Sequence, residues 1–305
     1  MEFLSYLITG ISLGSIYAII ALGYTMVYGI AKMLNFAHGD VIMVGAYVSF
    51  YVTMFAGSNL LGEDPSALTT GAVALVSVLL AMVVCTVLGV VIEGLAYRSL
   101  RQAGSLAVLI TAIGVSYFLQ NSALILWSSS PKIFSPIVGS GSQKIGPLTI
   151  SHVTLVTIAA CVVIMLALTA FTGRTKMGKA MRAVSEDKGA AQLMGINVNR
   201  TISMTFAIGS ALAAIAGVLF LSTYTSLTPT TGSMPGIKAF TAAVFGGIGS
   251  IPGALLGGLL LGVIETFARA YISTELSTAI VFGVLIIVLL VKPAGLLGKT
   301  VREKV

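Results

Sequence analysis

Residues 3–31 read FLSYLITGISLGSIYAIIALGYTMVYGIA, and no Asp, Glu, Lys or Arg interrupts them. A helix needs about 20 apolar residues to cross the hydrocarbon core of a bilayer, and this stretch exceeds that length. A helix at the surface of a soluble protein would instead carry charged residues on its outer face. The stretch therefore predicts a transmembrane helix.

The same charge-free pattern repeats along the whole chain. Asp, Glu, Lys and Arg make up 9% of the 305 residues, whereas soluble domains contain about 25%. Seven further windows lack these residues, and the last can extend back to Tyr271: 41–62, 65–92, 102–131, 145–173, 201–237, 239–264 and 276–291. The pattern predicts an all-α, polytopic transmembrane bundle with about eight spanning segments, which forms a single domain over residues 1–305.

Basic residues cluster in loops and so indicate the topology. Six of the 17 Lys and Arg residues lie within 172–200: Arg174, Lys176, Lys179, Arg182, Lys188 and Arg200. The positive-inside rule places this loop in the cytoplasm, together with the loop 93–104 and the C-terminus. Loops 128–150 and 222–237 are rich in Ser, Gly, Thr and Pro, and are predicted to lie outside. The net charge of +7 is thus a topology signal and does not indicate nucleic-acid binding.

Two apolar runs contain residues that disfavour a continuous helix. Residues 245–253 read FGGIGSIPG, and both Gly and Pro destabilise helix interiors. The three windows that follow the 172–200 loop also give an odd number of crossings, so we predict a break here, with one half re-entrant. Residues 35–40 read NFAHGD and interrupt the first run. Paired breaks are typical of an internal repeat with a transport path between its halves.

Glycines spaced four residues apart predict close contacts between helices, because small residues let two backbones approach. The three pairs are Gly10 with Gly14, Gly253 with Gly257, and Gly258 with Gly262. They favour packing within one chain, and a contact between chains is the alternative.

The cytoplasmic loop contains a candidate helix. Residues 179–196 read KAMRAVSEDKGAAQLMGI, in which Met181, Val184, Ala191 and Met194 share one face at helical spacing. Arg182 and Glu186 are four residues apart and close enough to pair. The pattern predicts either a solvated helix at the membrane surface or a short docking helix for a cytoplasmic partner.

Several motifs resemble those of a known family. Glu186, the pair Ala190 and Ala191, and Gly195 resemble the EAA-type coupling loop of bacterial ABC importers, which seats the ATPase subunits. The wider pattern over 173–196 is similar to that of the branched-chain amino-acid permeases. Four other stretches carry the same resemblance, which covers essentially the whole chain: 13–24, 34–40, 246–254 and 292–296. The NFAHG run is similar to the LivH type, the shorter of the two permeases in such systems.

This resemblance implies an inner-membrane permease subunit of an importer for leucine, isoleucine or valine. The implied partners are a second permease of the LivM type, two ATP-binding-cassette ATPases and a periplasmic amino-acid-binding protein. The residues expected to couple to an ATPase are Arg174, Arg182, Glu186, Asp187, Ala190, Ala191 and Gly195. A related permease for urea or short amides is one alternative. A stand-alone secondary transporter is another, but it would usually place an ionisable residue mid-helix.

Residues at the two helix breaks are the candidates for the substrate path: Asn35, Phe36, His38, Gly39, Gly246, Gly247, Gly249 and Ser250. The alternative for Asn35 and His38 is structural, with the two side chains satisfying backbone groups that the break leaves free. On the helix near 105–127, one face carries Thr111, Gly114, Phe118 and Asn121, with Ser116 and Gln120 beside it. We expect this stripe to form hydrogen bonds between helices rather than to line the path.

No stretch predicts a nucleotide, metal or catalytic site on this chain. Residues 295–300 read GLLGKT and end like a phosphate loop, but Pro293 occupies the position of the required first Gly. The two histidines have no nearby cluster of Cys or carboxylates. We therefore expect a transport subunit that is not an enzyme and binds no cofactor, with ATP on its partners.

Overall fold

A computed structural model describes residues 2–59, 67–101, 103–134, 141–145 and 148–298, and within this part the chain is almost entirely helical. The helices are α1 (Glu2–Ala31), α2 (His38–Asn59), α3 (Ala67–Ile92, continued by a π-helical segment Glu93–Tyr97), α4 (Ser105–Trp127), α5 (His152–Arg174), α6 (Lys176–Glu186), α7 (Lys188–Leu193), α8 (Val198–Thr223), α9 (Ser233–Gly246), α10 (Ile251–Tyr271) and α11 (Ser277–Val291). Four short strands form two antiparallel pairs: β1 (Lys132–Ile133) with β4 (Ser226–Leu227), and β2 (Ser142–Ile145) with β3 (Leu148–Ser151).

Seven helices in the described part are long and apolar enough to cross a membrane: α1, α2, α3 with its π-helical segment, α4, α5, α8 and α10. The apolar α11 has only 15 residues and α9 has 14. At a rise of 1.5 Å per residue, α9 spans about 21 Å, less than the roughly 30 Å of the hydrocarbon core. The all-α polytopic bundle is confirmed, with seven full-length segments and two shorter helices, α9 and α11, in the described part.

Helices α1 and α8 form the centre of the bundle, and α1 contacts α5, α8, α9 and α10. Helices α1 and α10 lie so close that a Cβ atom added to Gly14 would come 2.7 Å from the Cα of Leu259. One added to Gly10 would come 2.9 Å from the Cα of Val263. The close packing predicted from the glycine spacing is therefore confirmed, and it occurs within this chain.

The predicted break in the window 239–264 is also confirmed, because α9 ends at Gly246 and α10 begins at Ile251. Four helices, α8 to α11, therefore follow the α6–α7 loop, and this even number returns the chain to the same end of the bundle. That end also holds Gly29, which lies against Gly249. At the opposite end, β1 and β4 join the outer loops through the pairs Lys132–Leu227 and Ile133–Ser226.

Candidate functional site

The first break is anchored by the side chain of Asn35. Helix α1 ends at Ala31, and Lys32 follows with a left-handed φ of 58°. The buried Asn35 accepts a hydrogen bond at its Oδ1 from the Tyr97 hydroxyl, over 3.0 Å. Tyr97 ends the π-helical segment, and such segments often occur at functional sites. The segment between α1 and α2 is thus tied to α3.

His38 and Phe36 join α2 to neighbouring helices through ring contacts. The His38 ring lies 4.6 Å from the Tyr24 ring on α1, centroid to centroid. Its Nε2 lies against Gly23, where no Cβ blocks it, and has no hydrogen-bond partner in the described part. The Phe36 ring lies 5.6 Å from that of Phe240 on α9. The structural alternative for Asn35 and His38, in which the two side chains satisfy backbone groups that the break leaves free, stays a prediction, like the path reading itself.

The second break is held mainly by backbone contacts. Gly247 has a φ of 104° and Gly249 a φ of 96°, a region that L side chains rarely adopt. The Ser250 hydroxyl caps α10 by accepting a hydrogen bond from the Gly253 N–H over 3.2 Å. The C-terminal residues close the break, because Leu296 N–H donates to Phe245 O and Leu297 N–H donates to Gly246 O, each over 2.9 Å.

A small cleft lies between the two breaks and brings one residue of each together, Asn35 and Ile248. Its other lining residues are Tyr24, Val27, Tyr28, Met33, Leu34, Phe240 and Ala243. Phe36 packs beside it on Phe240, whereas Gly39 lies against Gly232 at the start of α9. Gly246 and Gly247 face the C-terminal residues and Gly253 instead. The assignment of all eight residues to a substrate path stays a prediction.

A polar cluster beside the first break was missed by the sequence reasoning. The buried Asp40, in the first turn of α2, accepts a hydrogen bond from Gln120 Nε2 over 2.9 Å. The same nitrogen lies 3.2 Å from the hydroxyls of Ser116 and Ser233. Gln120 thereby links the starts of α2 and α9. In the sequence, Asp40 ends the NFAHGD break and has no predicted role, although an acidic residue at a break is a detectable signal.

A second missed cluster is ionic and buried. Glu265, fully buried on α10, accepts hydrogen bonds from Lys238 Nζ on α9 over 2.7 Å and from the Tyr17 hydroxyl over 2.8 Å. Arg269, one turn further along α10, pairs with the same carboxylate. The charge-free windows argued against ionisable residues within helices, and that argument is wrong for Lys238 and Glu265. Opposite charges pair here, so the cluster stabilises the contact between α9 and α10 instead of leaving a lone charge in the membrane.

The stripe predicted on α4 bonds to other helices only in part: among the described residues, Gln120 beside it reaches α2 and α9, whereas the face with Thr111, Gly114, Phe118 and Asn121 bonds to no other helix. Phe118 is 70% exposed, and the Asn121 amide donates to the carbonyl of Tyr117 within its own helix. Gly114 is exposed, with no heavy atom within 4 Å of an added Cβ. The stripe faces away from the bundle because α4 turns its other side, with Ser116 and Gln120, toward α2.

The loop predicted to face the cytoplasm forms two helices, α6 and α7, instead of one. The break falls at Asp187, whose carboxylate accepts from the N–H groups of Gly189 and Ala190 over 2.7 and 3.0 Å and so caps α7. This cap stabilises a new helix start and changes the direction of the residues beyond it. Met181, Val184 and Ala191 are buried as predicted, whereas Met194 is 82% exposed. The shared face with Met194 is therefore wrong.

The other predicted coupling residues lie on the exposed side of this loop. Arg182 donates toward the Gly173 carbonyl over 3.4 Å and forms no ion pair with Glu186, so the predicted pair is wrong. Arg174 and Ala190 are exposed, and Gly195 has a φ of 80° beyond the end of α7. The positions of these residues leave the loop surface open to a partner, and their coupling role stays a prediction.

Nearby, Lys188 connects the loop to α1. Its Nζ donates to the Ala31 carbonyl over 3.0 Å. Burial lowers the pKa of the Lys188 ammonium, and the positive charges of Arg101 and Lys32 lower it further. Arg101 itself pairs with the buried Glu93 of the π-helical segment. Among the described residues, no group of His, Cys, Asp and Glu could hold a metal ion.

Comparison with known proteins identifies a family for the chain. Residues 6–289 match the profile of the family described as the permease component of the branched-chain amino acid transport system. The chain is 46% identical to the high-affinity branched-chain amino acid permease LivH of Salmonella typhimurium, over 100% of this chain and 98% of that protein. It is 46% identical to LivH of Escherichia coli K12 and 43% identical to BraD of Pseudomonas aeruginosa, with the same coverage. No solved structure matches the chain.

Proposed function

The chain belongs to the permease components of branched-chain amino-acid transport systems, and we propose that it forms part of the membrane path of an ATP-driven importer for leucine, isoleucine and valine. In this proposal a second permease of the LivM type completes the path. Two ATP-binding-cassette ATPases supply the energy, and a periplasmic amino-acid-binding protein delivers the cargo. This chain hydrolyses no ATP and carries no cofactor.

The observation that carries the proposal is the exposed surface of the α6–α7 loop. Leu193 is 90% exposed and Met194 is 82% exposed, side by side at the end of α7. We infer that this pair of adjacent apolar side chains, in a loop whose neighbouring residues are polar and exposed, is covered by another protein. We call Glu186, Ala190, Leu193, Met194 and Gly195 the docking surface. The opposite side of the loop, with Met181 and Val184, is buried against the bundle. Movement of the docking surface would therefore be passed to the helices that α6 contacts, α1, α5 and α8.

We further propose that the path passes the first break. An amino acid in water carries both a carboxylate and an ammonium group, and crossing the membrane requires polar groups that face it. Asn35 lines the cleft between the two breaks. Asp40, Gln120 and Ser233 add polar groups where the first turns of α2 and α9 meet, and the positive ends of helix dipoles favour a carboxylate.

Co-purification from the native bacterium tests the assembly. The wild-type chain, extracted in mild detergent, should bring down a second permease and both ATPases. L193D/M194D should retain the second permease but lose the ATPases, because two charges replace the apolar contact. K179D is the matched control, since Lys179 is exposed on α6 outside the docking surface. Unchanged ATPase recovery with L193D/M194D would show that the docking surface is wrong.

Reconstitution into proteoliposomes tests the cargo. With ATP inside and the binding protein outside, we expect uptake of labelled leucine that isoleucine and valine inhibit and urea does not. Uptake of urea in place of leucine would favour the amide permease. A chain that transports alone, without any ATPase, would favour a secondary transporter.

A further inference from the structure

The hydrogen bond from Lys188 to Ala31 joins the start of α7 to the end of α1. Lys188 is the first residue of α7, and the Asp187 cap beside it fixes the orientation of that helix start. Ala31 is the last residue of α1. The terminal carbonyls of a helix have no partner within it, and a cation is favoured there by the helix dipole. The Lys188 ammonium supplies both the donor and the charge.

The surroundings of Lys188 are otherwise unfavourable for a cation. Arg101 and Lys32 are the charged groups that act on it, and both are positive. Glu93, the carboxylate closest to Arg101, is engaged by Arg101 and by the Ser203 hydroxyl. Among the described residues, Lys188 therefore has no ion-pair partner. Because the nearby charges repel the Lys188 ammonium, the contact that stabilises it is the hydrogen bond to the Ala31 carbonyl.

The chain beyond Ala31 leads directly to the cleft. Six residues, 32–37, connect α1 to α2. Asn35 within them is held by Tyr97 at the end of α3. A displacement of Ala31 relative to α3 must therefore be absorbed by this short connection, whose residues Met33, Leu34 and Asn35 line the cleft.

We propose that Lys188 is a positioning residue that transmits movement of the docking surface to the end of α1, and from there to the cleft. The inference rests on the proposed function, because the movement comes from the ATPases. When α7 moves, its hydrogen bond displaces Ala31 with it. The connection 32–37 then changes conformation between the moving end of α1 and the Asn35 anchor on α3.

Substitutions at Lys188 test the proposal in the reconstituted importer. K188M keeps the side-chain length but removes the donor and the charge, and K188R keeps both. K179M, at an exposed lysine of α6, is the control for loss of one positive charge in the loop. The readouts are recovery of the assembled complex, ATP hydrolysis stimulated by the binding protein, and leucine uptake.

For K188M we expect normal assembly and continued ATP hydrolysis, while leucine imported per ATP falls about tenfold, as for the loss of one hydrogen bond to a charged group. K188R should recover at least half of the coupling, and K179M should match the wild type. Unchanged leucine import per ATP in K188M would overturn the proposal. So would a loss of uptake that only follows loss of assembled complex. If the wild-type complex imports no leucine, the proposed function itself fails.

Spin labels provide a readout that a purely structural role of Lys188 would not change. One label replaces Lys32, which moves with α1 because its N–H donates to the Tyr28 carbonyl of that helix, and the other replaces Gln192 on α7; both positions are exposed. After alanine replaces the buried Cys85 and Cys161, the two labels report the distance between the end of α1 and α7. In an otherwise wild-type complex this distance should be the same with and without ATP. In K188M it should differ between the two states. Equal distances in K188M in both states would overturn the proposal.

Discussion

The two helix breaks are closed by different kinds of contact. Side chains hold the first break, through the Asn35–Tyr97 hydrogen bond and the tilted contact between the rings of His38 and Tyr24. Backbone groups hold the second, through hydrogen bonds from the C-terminal residues and the positive φ angles of two glycines. A side chain can exchange one hydrogen-bond partner for another, whereas the two adjacent backbone hydrogen bonds at the second break must be broken together.

Charged side chains add to the difference between the two breaks. Away from the break itself, the Lys238–Glu265 ion pair joins α9 to α10, the two helices that the second break separates. At the first break the bond to Tyr97 contributes only about 0.5–1.5 kcal/mol net. We therefore infer that the connection 32–37 is the mobile part of the path, while α9 and α10 move as one body. Four substitutions test this comparison, in order of decreasing effect on stability.

Glu265→Gln should have the largest effect. It leaves Lys238 and Arg269 without their carboxylate, and removing one partner of a buried ion pair costs about 3–5 kcal/mol. We expect a strong loss of folded protein, measured by unfolding in mixed detergent micelles. Lys238→Met is the control and should cost less, because Glu265 keeps Arg269 and Tyr17. Equal stability of Glu265→Gln and the wild type would show that the cluster does not hold α9 against α10.

Gly247→Ala should come next. At a φ of 104°, a side chain adds about 1–3 kcal/mol of backbone strain, and the new Cβ would collide with the backbone of Gly298. Gly249→Ala separates the two effects, since its φ is 96° but its nearest neighbour, Gly29 Cα, is 3.8 Å from an added Cβ. The thermal unfolding midpoint should fall further for Gly247→Ala. The same midpoint for both would exclude a role for the C-terminal contact.

Tyr97→Phe should destabilise the chain by only about 1–3 kcal/mol, the cost of leaving the buried Asn35 carbonyl without a donor. Leucine uptake should nevertheless fall clearly, because Asn35 loses its anchor. Tyr51→Phe, at an exposed tyrosine on α2, is the control and should behave as the wild type. A loss of stability as large as that of Glu265→Gln would mean that the first break is no more mobile than the second.

Glu186→Lys should have the smallest effect on stability, within about 0.5 kcal/mol, because surface substitutions rarely exceed that. Glu186 is exposed on the docking surface and has no ion pair in the described part of the chain. Leucine uptake should still fall, since reversed charge would weaken ATPase docking. Normal uptake would remove Glu186 from the coupling residues.

The coarse architecture could be predicted because the bilayer imposes it. Charge-free windows long enough to span predicted the membrane helices, the glycines and the proline of 245–253 predicted the second break, and the NFAHGD run between two windows predicted the first. The positions of the turns in the cytoplasmic loop were less predictable. Helical periodicity alone placed Met194 with Met181, and the local cap by Asp187 rotated Met194 to the outside.

Contacts between distant residues could not be read from spacing. Arg182 and Glu186 have ideal helical spacing yet remain apart, while Glu265 meets Tyr17 across 248 positions of the chain. In the sequence, Lys238 only bounds a charge-free window and Asp40 only ends the NFAHGD break. Gln120 only lies beside the polar stripe of α4. Their partners depend on how α1, α4, α9 and α10 pack, which no local pattern specifies.

By itself, the sequence determined that this chain spans a membrane and where its helices break, and it predicts which loop faces the cytoplasm. These properties follow from the cost of placing charge in hydrocarbon and from the local backbone preferences of Gly and Pro. Only the tertiary structure decided which break is held by backbone and which by side chains, and which lysine reaches the end of α1. Those choices depend on distances between helices far apart in sequence, and packing alone sets such distances.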